Sequence, residues 1–123
     1  MTKAILLVGL GGGVGSILRY LTSVVATKYF QSNFPLGTFA VNVLGCLIIG
    51  ILIGLFDKQQ LANPDLRLLF ITGFCGGFTT FSAFAAENIN LFQSGHSLTA
   101  LLYIGASIFV SLFFVWLGMV VVR

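Results

Sequence analysis

The chain has 123 residues, of which 58% are hydrophobic and only 7% are charged. A soluble domain carries about 25% charged residues, so this composition excludes an ordinary soluble fold and indicates an all-α integral membrane protein in a lipid bilayer. Because each span needs about 20 apolar residues, residues 1–123 are predicted to form a single domain of four transmembrane helices. The net charge of +3 comes from scattered residues, which argues against nucleic acid as a partner.

Metal and disulfide chemistry find little support in the sequence. Cys46 and Cys75 lie in apolar surroundings without a paired spacing, and His96 is the only histidine. The pattern favours small buried hydrophobes over side-chain metal ligands or a disulfide.

The first predicted helix covers about residues 4–29 and is rich in glycine. Gly9 with Gly13, and Gly11 with Gly15, form two small-xxx-small pairs, a spacing that lets helix backbones approach closely. We expect helix packing here, because the glycines do not form the G-x-G-x-x-G pattern of a nucleotide site.

Arg19 is the unusual residue of this helix. A guanidinium at mid-bilayer costs about 2.5–3.5 kcal/mol, so Arg19 must be paired, hydrated or close to the bilayer edge. Two interpretations remain open: a functional group inside the membrane, or a side chain that snorkels to the interface because the apolar part of the helix ends near position 23.

The second predicted helix covers about residues 35–56 and is apolar except for one stripe. Thr38 and Asn42 lie four residues apart on this stripe, with Gly45 one turn beyond. Asn42 either hydrogen-bonds to a neighbouring helix, worth roughly 0.6–2 kcal/mol, or lines a pore. The packing positions predicted on the rest of this helix are Gly50 and Gly54.

The third predicted helix covers about residues 66–92 and is interrupted. The pair Gly76-Gly77 raises the cost of helical structure, and the hydroxyls of Thr79 and Thr80 compete for backbone hydrogen bonds. Freed backbone at membrane depth must be buried in protein or line a water-filled cavity. The interruption therefore predicts a partner surface.

Aromatic rings, a hydroxyl and a carboxylate follow the predicted interruption. Phe81 and Phe84 are three residues apart and point to one side of the resumed helix, beside Thr80. Glu87 is the only acidic residue inside a predicted span, which makes it a candidate functional group. It would face an aqueous vestibule, pair with Arg19 or be solvated near the helix end.

The fourth predicted helix covers about residues 97–122 and carries a row of hydroxyls. Tyr103, Ser107 and Ser111 are spaced at i, i+4 and i+8 and share one face. The row is typical of a polar track, although serines in membrane helices also bond back to their own carbonyls and aid packing.

The charges at the helix ends give only a weak orientation signal. With four spans, both termini lie on the same side of the membrane. That side collects Lys3, Lys58, Arg67 and Arg123, against Lys28 and Arg19 on the other. A weak bias permits insertion in both orientations.

Three stretches of the chain resemble one known family. The run GFCGGFTTFSAF at residues 73–84 resembles the signature of the small fluoride-channel family, Fluc, also called CrcB. The resemblance extends to GGGVGSILRY at residues 11–20 and PLGTFAVNVLGCLIIG at residues 35–50, and covers essentially the whole chain. Gly15 and Arg19 match the family's G-x-x-x-R-Y pattern, which does not fix the role of the arginine.

The resemblance implies a passive fluoride channel, not an enzyme, that exports fluoride across the bacterial inner membrane and relieves its toxicity. It implies dual topology, with two pores in an antiparallel homodimer, and a structural sodium ion at the dimer centre on the backbone oxygens of Gly76 and Thr79. The pore residues that it implies are Phe81, Phe84, Asn42, Thr80, Tyr103, Ser107, Ser111 and Thr38.

Other classes of function make different demands on the sequence. A small proton-coupled multidrug exporter is also four-helical and dual-topology, but it needs a carboxylate in a central cavity, and that family places it in helix one, whereas Glu87 lies late in helix three. A non-transporting assembly subunit predicts packing glycines without polar rows. An enzyme needs a nucleophile, a base and an orienting group, and no such set is evident.

Overall fold

The computed structural model describes residues 1–59 and 63–123, and all regular structure within them is helical. Four helical segments are long and apolar enough to cross a membrane, which confirms the predicted all-α fold with four spans. The helices are α1 (Thr2–Tyr29), α2 (Leu36–Lys58), α3 (Pro64–Arg67), a π-helix (Leu68–Cys75), α4 (Gly76–Phe78), α5 (Phe81–Gln93) and α6 (Ser97–Val121). The run from α3 to α5 forms the third span.

Ion pairs mark one end of the helix bundle. Lys3 at the start of α1 lies 2.7 Å from Asp65 in α3, and Arg67 lies 3.5 Å from Asp57 at the end of α2. The end of α6 packs against Gly54 of α2. Both chain termini therefore lie at this end, and consecutive spans run in opposite directions.

Glycines bring α1 against the third span. Gly11 and Gly15 are buried, and a Cβ on Gly15 would come within 2.8 Å of the backbone nitrogen of Phe78. Any larger residue would push the two backbones apart. At Gly9 and Gly13, the other predicted pair, a Cβ would have no neighbour within 4 Å in the described part of the chain, so only one pair packs inside this chain.

A second glycine contact joins α2 to α6. Gly50 packs on the backbone of Val115, and a Cβ on Gly118 would come within 2.6 Å of the Leu47 carbonyl oxygen. Gly50 and Gly54 thus take the packing roles predicted for them. These two close approaches, α1 on the third span and α2 on α6, build the bundle around its small core.

Helical geometry in the third span stops at two threonines. Gly76 and Gly77 are helical, whereas Thr79 (φ −90°, ψ 159°) and Thr80 (φ −151°, ψ 123°) are extended. We call this pair the Thr79–Thr80 link. Gly77 instead packs against the Gly12 backbone, where a Cβ would have no room. Gly77 therefore serves close approach, whereas the nearest atom to a Cβ on Gly76 would be the Ile71 carbonyl oxygen at 4.0 Å. The threonines supply the change to extended backbone.

Candidate functional site

Asn42 holds the Thr79–Thr80 link through both ends of its amide. Its Oδ1 accepts a hydrogen bond from the Thr80 N–H at 2.8 Å, and its Nδ2 donates to the Thr80 carbonyl at 3.0 Å. Because a backbone N–H can only donate and a carbonyl can only accept, these bonds fix the orientation of the amide. Asn42 therefore bonds to a neighbouring span, as one interpretation of the sequence predicts, and it also lines the groove described below.

The same contacts release two main-chain carbonyls from the helical hydrogen-bond pattern. In a continuous α-helix, the Gly76 carbonyl would accept from the Thr80 N–H, but Asn42 takes that donor. The Thr79 carbonyl would accept from the Ala83 N–H, which instead donates to the Thr80 hydroxyl oxygen at 3.2 Å. Gly76 and Thr79, the two residues predicted to bind sodium, therefore both lose their normal helical donor.

Arg19 of α1 bonds to the backbone two residues before the link. Its Nε donates to the Gly77 carbonyl at 3.0 Å, and its side chain is half-buried. No ion pair joins Arg19 to Glu87 among the described residues. The guanidinium is thus paired with backbone inside the bundle, which the snorkelling interpretation does not require.

Glu87 accepts hydrogen bonds from two other spans. Thr38 of α2 donates to its Oε2 at 2.7 Å, and Tyr103 of α6 donates to its Oε1 at 2.9 Å. Each hydroxyl carries a single hydrogen, so both donors point at the carboxylate. The predicted pore residues Thr38 and Tyr103 therefore meet at Glu87 in this conformation.

The hydroxyl row on α6 divides into two parts. Tyr103 is fully buried and turns to Glu87, whereas Ser107 and Ser111 line the groove. Ser107 is only 8% exposed, and its hydroxyl has no hydrogen-bond partner in the described chain. This serine does not bond back to its own helix, and a buried hydroxyl without a partner is a costly feature that demands a ligand, a water or a second chain.

The groove is a cavity of about 440 Å³ between α2, the third span and α6. Both residues of the link line this cavity, and most of the remaining lining is apolar. The polar or thiol-bearing side chains that line it belong to Asn42, Cys46, Thr72, Cys75, Thr79, Thr80, Ser107 and Ser111. Gly76 lines it through its backbone. Six of the predicted pore and sodium residues therefore line the groove, and the other two predicted residues that line it are Phe81 and Phe84.

The two phenylalanines lie together at the edge of the groove. Their ring centroids are 5.6 Å apart, and the planes are tilted by 47°. Phe84 also meets the Tyr103 ring edge to face, with centroids 5.0 Å apart, but Phe81 is 78% exposed. Phe84 is positioned by packing within the chain, whereas most of the Phe81 ring is uncovered.

A polar vestibule leads to the link from the end of the bundle opposite the termini. Its outer cavity, of about 250 Å³, is lined by Thr27 and Gln31, and its inner cavity, of about 270 Å³, by Ser16 and Arg19. The residues that line both cavities are Ser23, Gly37, Thr38 and Glu87. Thr80 lines both the inner cavity and the groove, so the vestibule and the groove meet at the link.

Several of these residues were not predicted. Ser16, Tyr20, Ser23 and Thr27 follow a helical spacing on α1, and this stripe could have identified the vestibule wall. Asn88 is buried and donates to the Phe84 carbonyl at 2.9 Å. No pattern in the sequence distinguishes it from an amide that faces solvent.

The sequence of the chain matches a known protein family. Residues 6–119 match the family model described as "CrcB-like protein, Camphor Resistance (CrcB)". The chain belongs to the CrcB family. The matched range contains all three stretches on which the resemblance is based.

CrcB relatives with curated names are similar over nearly the full chain. A protein of Flavobacterium psychrophilum named fluoride-specific ion channel FluC is 50% identical over 121 residues, covering 98% of each chain. Proteins of the same name from Azobacteroides pseudotrichonymphae and Rhizobium johnstonii are 52% identical over 104 residues and 47% identical over 123 residues. The match with the Azobacteroides protein covers 85% of this chain and 83% of that protein. The match with the Rhizobium protein covers 100% of this chain and 98% of that protein.

Proposed function

We propose that this chain forms a fluoride-selective channel that lets fluoride leave the cell passively, across the bacterial inner membrane, and so relieves its toxicity. The family and the names of its relatives support this function. The observation that carries it is the meeting of the polar vestibule with the groove at Thr80. The proposal describes a transport protein and not an enzyme, and the alternative of a proton-coupled exporter finds no support in the comparisons.

The groove fits a second copy of the chain. It is open on one side, it carries the uncovered ring of Phe81, and it contains the unpartnered hydroxyl of Ser107. A copy inserted in the opposite orientation would cover this face, which the weak charge bias between the two ends permits. The proposed assembly is an antiparallel homodimer with two pores.

The freed carbonyls of Gly76 and Thr79 suit a hard cation. Such ions take oxygen ligands, and interrupted membrane helices hold sodium with unwound backbone carbonyls and half-helix ends. Gly76 and Thr79 of one chain supply two such oxygens, so two copies would supply four. A sodium ion held there would add positive charge to a site without lysine and make it attractive to anions.

Fluoride is small and strongly hydrated, so a selective pore must replace its water with donors that still release it. The hydroxyls of Ser107 and Ser111 are such donors, and the second Nδ2 hydrogen of Asn42 is not needed for the Thr80 carbonyl. Phenylalanine edges are positive and their faces negative, so the edges of Phe81 and Phe84 can hold an anion that their faces would repel.

Liposomes that contain the purified protein provide the test. We expect fluoride to leave loaded liposomes once its charge is compensated by an ionophore, while chloride stays inside and no coupled proton movement accompanies the flux. Absence of fluoride release by folded protein would contradict the proposal. Release of an organic cation driven by a proton gradient would support an exporter instead.

A further inference from the structure

Arg19 lies one helical turn beyond Gly15, where α1 and the third span approach each other closely. Gly15 touches the backbone at Phe78, where a Cβ would come within 2.8 Å. Four residues later, the Arg19 Nε donates to the Gly77 carbonyl at 3.0 Å. The glycine contact therefore sets the separation between the α1 backbone and the third span, which the Arg19 side chain crosses to bond to a main-chain oxygen.

Gly77 belongs to the last turn before the Thr79–Thr80 link. Carbonyls in the last turn of a helix have no i+4 donor, and this end of a helix carries partial negative charge. A guanidinium suits both features because it donates hydrogen bonds and is positive. The bond also holds the Gly77 peptide towards α1, and neither Arg19 nor Gly77 lines the groove that Gly76 and Thr79 line.

We infer that Arg19 is a positioning residue for the cation site: by holding the Gly77 carbonyl against α1, it leaves the carbonyls of Gly76 and Thr79 as the pair that faces the groove. This inference rests on the proposed sodium site. Another role for Arg19 would be electrostatic attraction of anions, because its side chain also lines the inner vestibule cavity. The two roles depend on different properties of the side chain, the Nε hydrogen bond and the positive charge.

Two substitutions separate these properties because of where each places its nitrogen. In Arg19→Gln the amide nitrogen occupies the same position along the side chain as Nε, so a donor to Gly77 remains while the charge is lost. In Arg19→Lys a methylene replaces Nε and the ammonium lies one bond further on, so the charge remains while the donor at this position is lost. Arg67, an exposed arginine at the termini end, provides matched control variants, Arg67→Gln and Arg67→Lys.

The experiment measures sodium affinity of the purified dimer by calorimetric titration, beside fluoride efflux from liposomes. We expect Arg19→Gln to bind sodium within about threefold of the unmodified protein, and Arg19→Lys to bind it about tenfold more weakly or worse, since a hydrogen bond from a charged donor is lost. The Arg67 variants should match the unmodified protein. Fluoride efflux should follow sodium affinity at low sodium and recover in Arg19→Lys at high sodium.

Other outcomes overturn the inference. Equal sodium affinity in both Arg19 variants, whether normal or weakened, would show that the Nε bond does not set the site. Weaker sodium binding in Arg19→Gln than in Arg19→Lys would assign the role to charge. If Arg19→Lys fails to give a folded dimer by size-exclusion chromatography, Arg19→Gln decides alone: retained affinity supports the inference and lost affinity overturns it. Failure of the unmodified protein to bind sodium would instead refute the proposed cation site.

Discussion

Tyr103 donates its hydroxyl to the Glu87 carboxylate at 2.9 Å, although the two residues lie on different spans. The tyrosine is fully buried, and its single hydroxyl hydrogen is committed to this bond. The carboxylate thus occupies a donor that the sequence pattern assigns to the ion path. Fluoride that is to use this hydroxyl must compete with Glu87 for it.

We predict that Tyr103 and Glu87 are energetically coupled. Tyr103→Phe leaves one carboxylate oxygen short of its donor and should lower the free energy of unfolding by about 1–3 kcal/mol. In a Glu87→Met background the same change should cost much less, because the acceptor is already gone. A double-mutant cycle measured by SDS titration of the purified protein tests this, with the exposed Tyr29→Phe as control. Costs that add within about 0.5 kcal/mol would show that the bond contributes no coupling.

Asn42→Asp should strongly reduce fluoride efflux. The aspartate keeps an oxygen for the Thr80 N–H, but its second oxygen replaces the Nδ2 donor and faces the Thr80 carbonyl, which now lies 3.0 Å from that nitrogen. Two acceptors at that distance repel, and the acidic group also places negative charge in the groove. Asn90→Asp, at an exposed position of α5, is the matched control. Normal efflux in Asn42→Asp liposomes would mean that the amide donor serves neither the link nor the ion.

The proposed dual topology can be tested at the α5–α6 turn. Both described ion pairs lie at the termini end, while Gln93 ends α5 at the other end of the bundle. Gln93→Cys should react with a membrane-impermeant thiol reagent from both sides of the membrane, in separate fractions of the protein. The unmodified chain serves as control, since Cys75 is buried and Cys46 half-buried. Labelling from one side only would remove the antiparallel homodimer.

The four spans could be predicted because apolar runs separated by short polar turns are a local property of the sequence. The site could be predicted only in part. Glycine propensity draws attention to Gly76-Gly77, yet both residues are helical, and Gly77 packs closely against α1. The extended residues are Thr79 and Thr80, held by Asn42 from 38 positions away in the chain. The partners of a polar side chain depend on which spans meet, and composition does not contain that information.

The hydroxyl row on α6 illustrates the same limit. Its spacing correctly places Tyr103 and Ser107 on one face. The two hydroxyls nevertheless have different surroundings, because the side chains differ in length. The long phenol reaches Glu87, whereas the short Ser107 hydroxyl stays at the groove without a partner. The π-helix before the link, which packs against α1, was not predicted from the sequence.

Phe81 and Phe84 could lie at the groove only as apolar packing groups, without binding the anion. A test must therefore separate the role of their ring edges from the role of their apolar volume. Substitution by isoleucine keeps much of the apolar volume but removes the positive ring edge. Within one chain, Phe81→Ile should cost little stability because the ring is 78% exposed. Phe84→Ile should cost about 0.5–1.5 kcal/mol from its contact with Tyr103.

Both variants should still elute as a dimer by size-exclusion chromatography, and both should lose most fluoride efflux from liposomes. Phe109→Ile changes an equally exposed phenylalanine of α6 (74% exposed) that does not line the groove, and it should leave the flux unchanged. This control separates loss of a ring edge at the groove from loss of any exposed aromatic ring. Near-normal efflux in Phe81→Ile and Phe84→Ile would assign both rings to packing, because the edge that is proposed to hold the anion would be gone while the ion still passes.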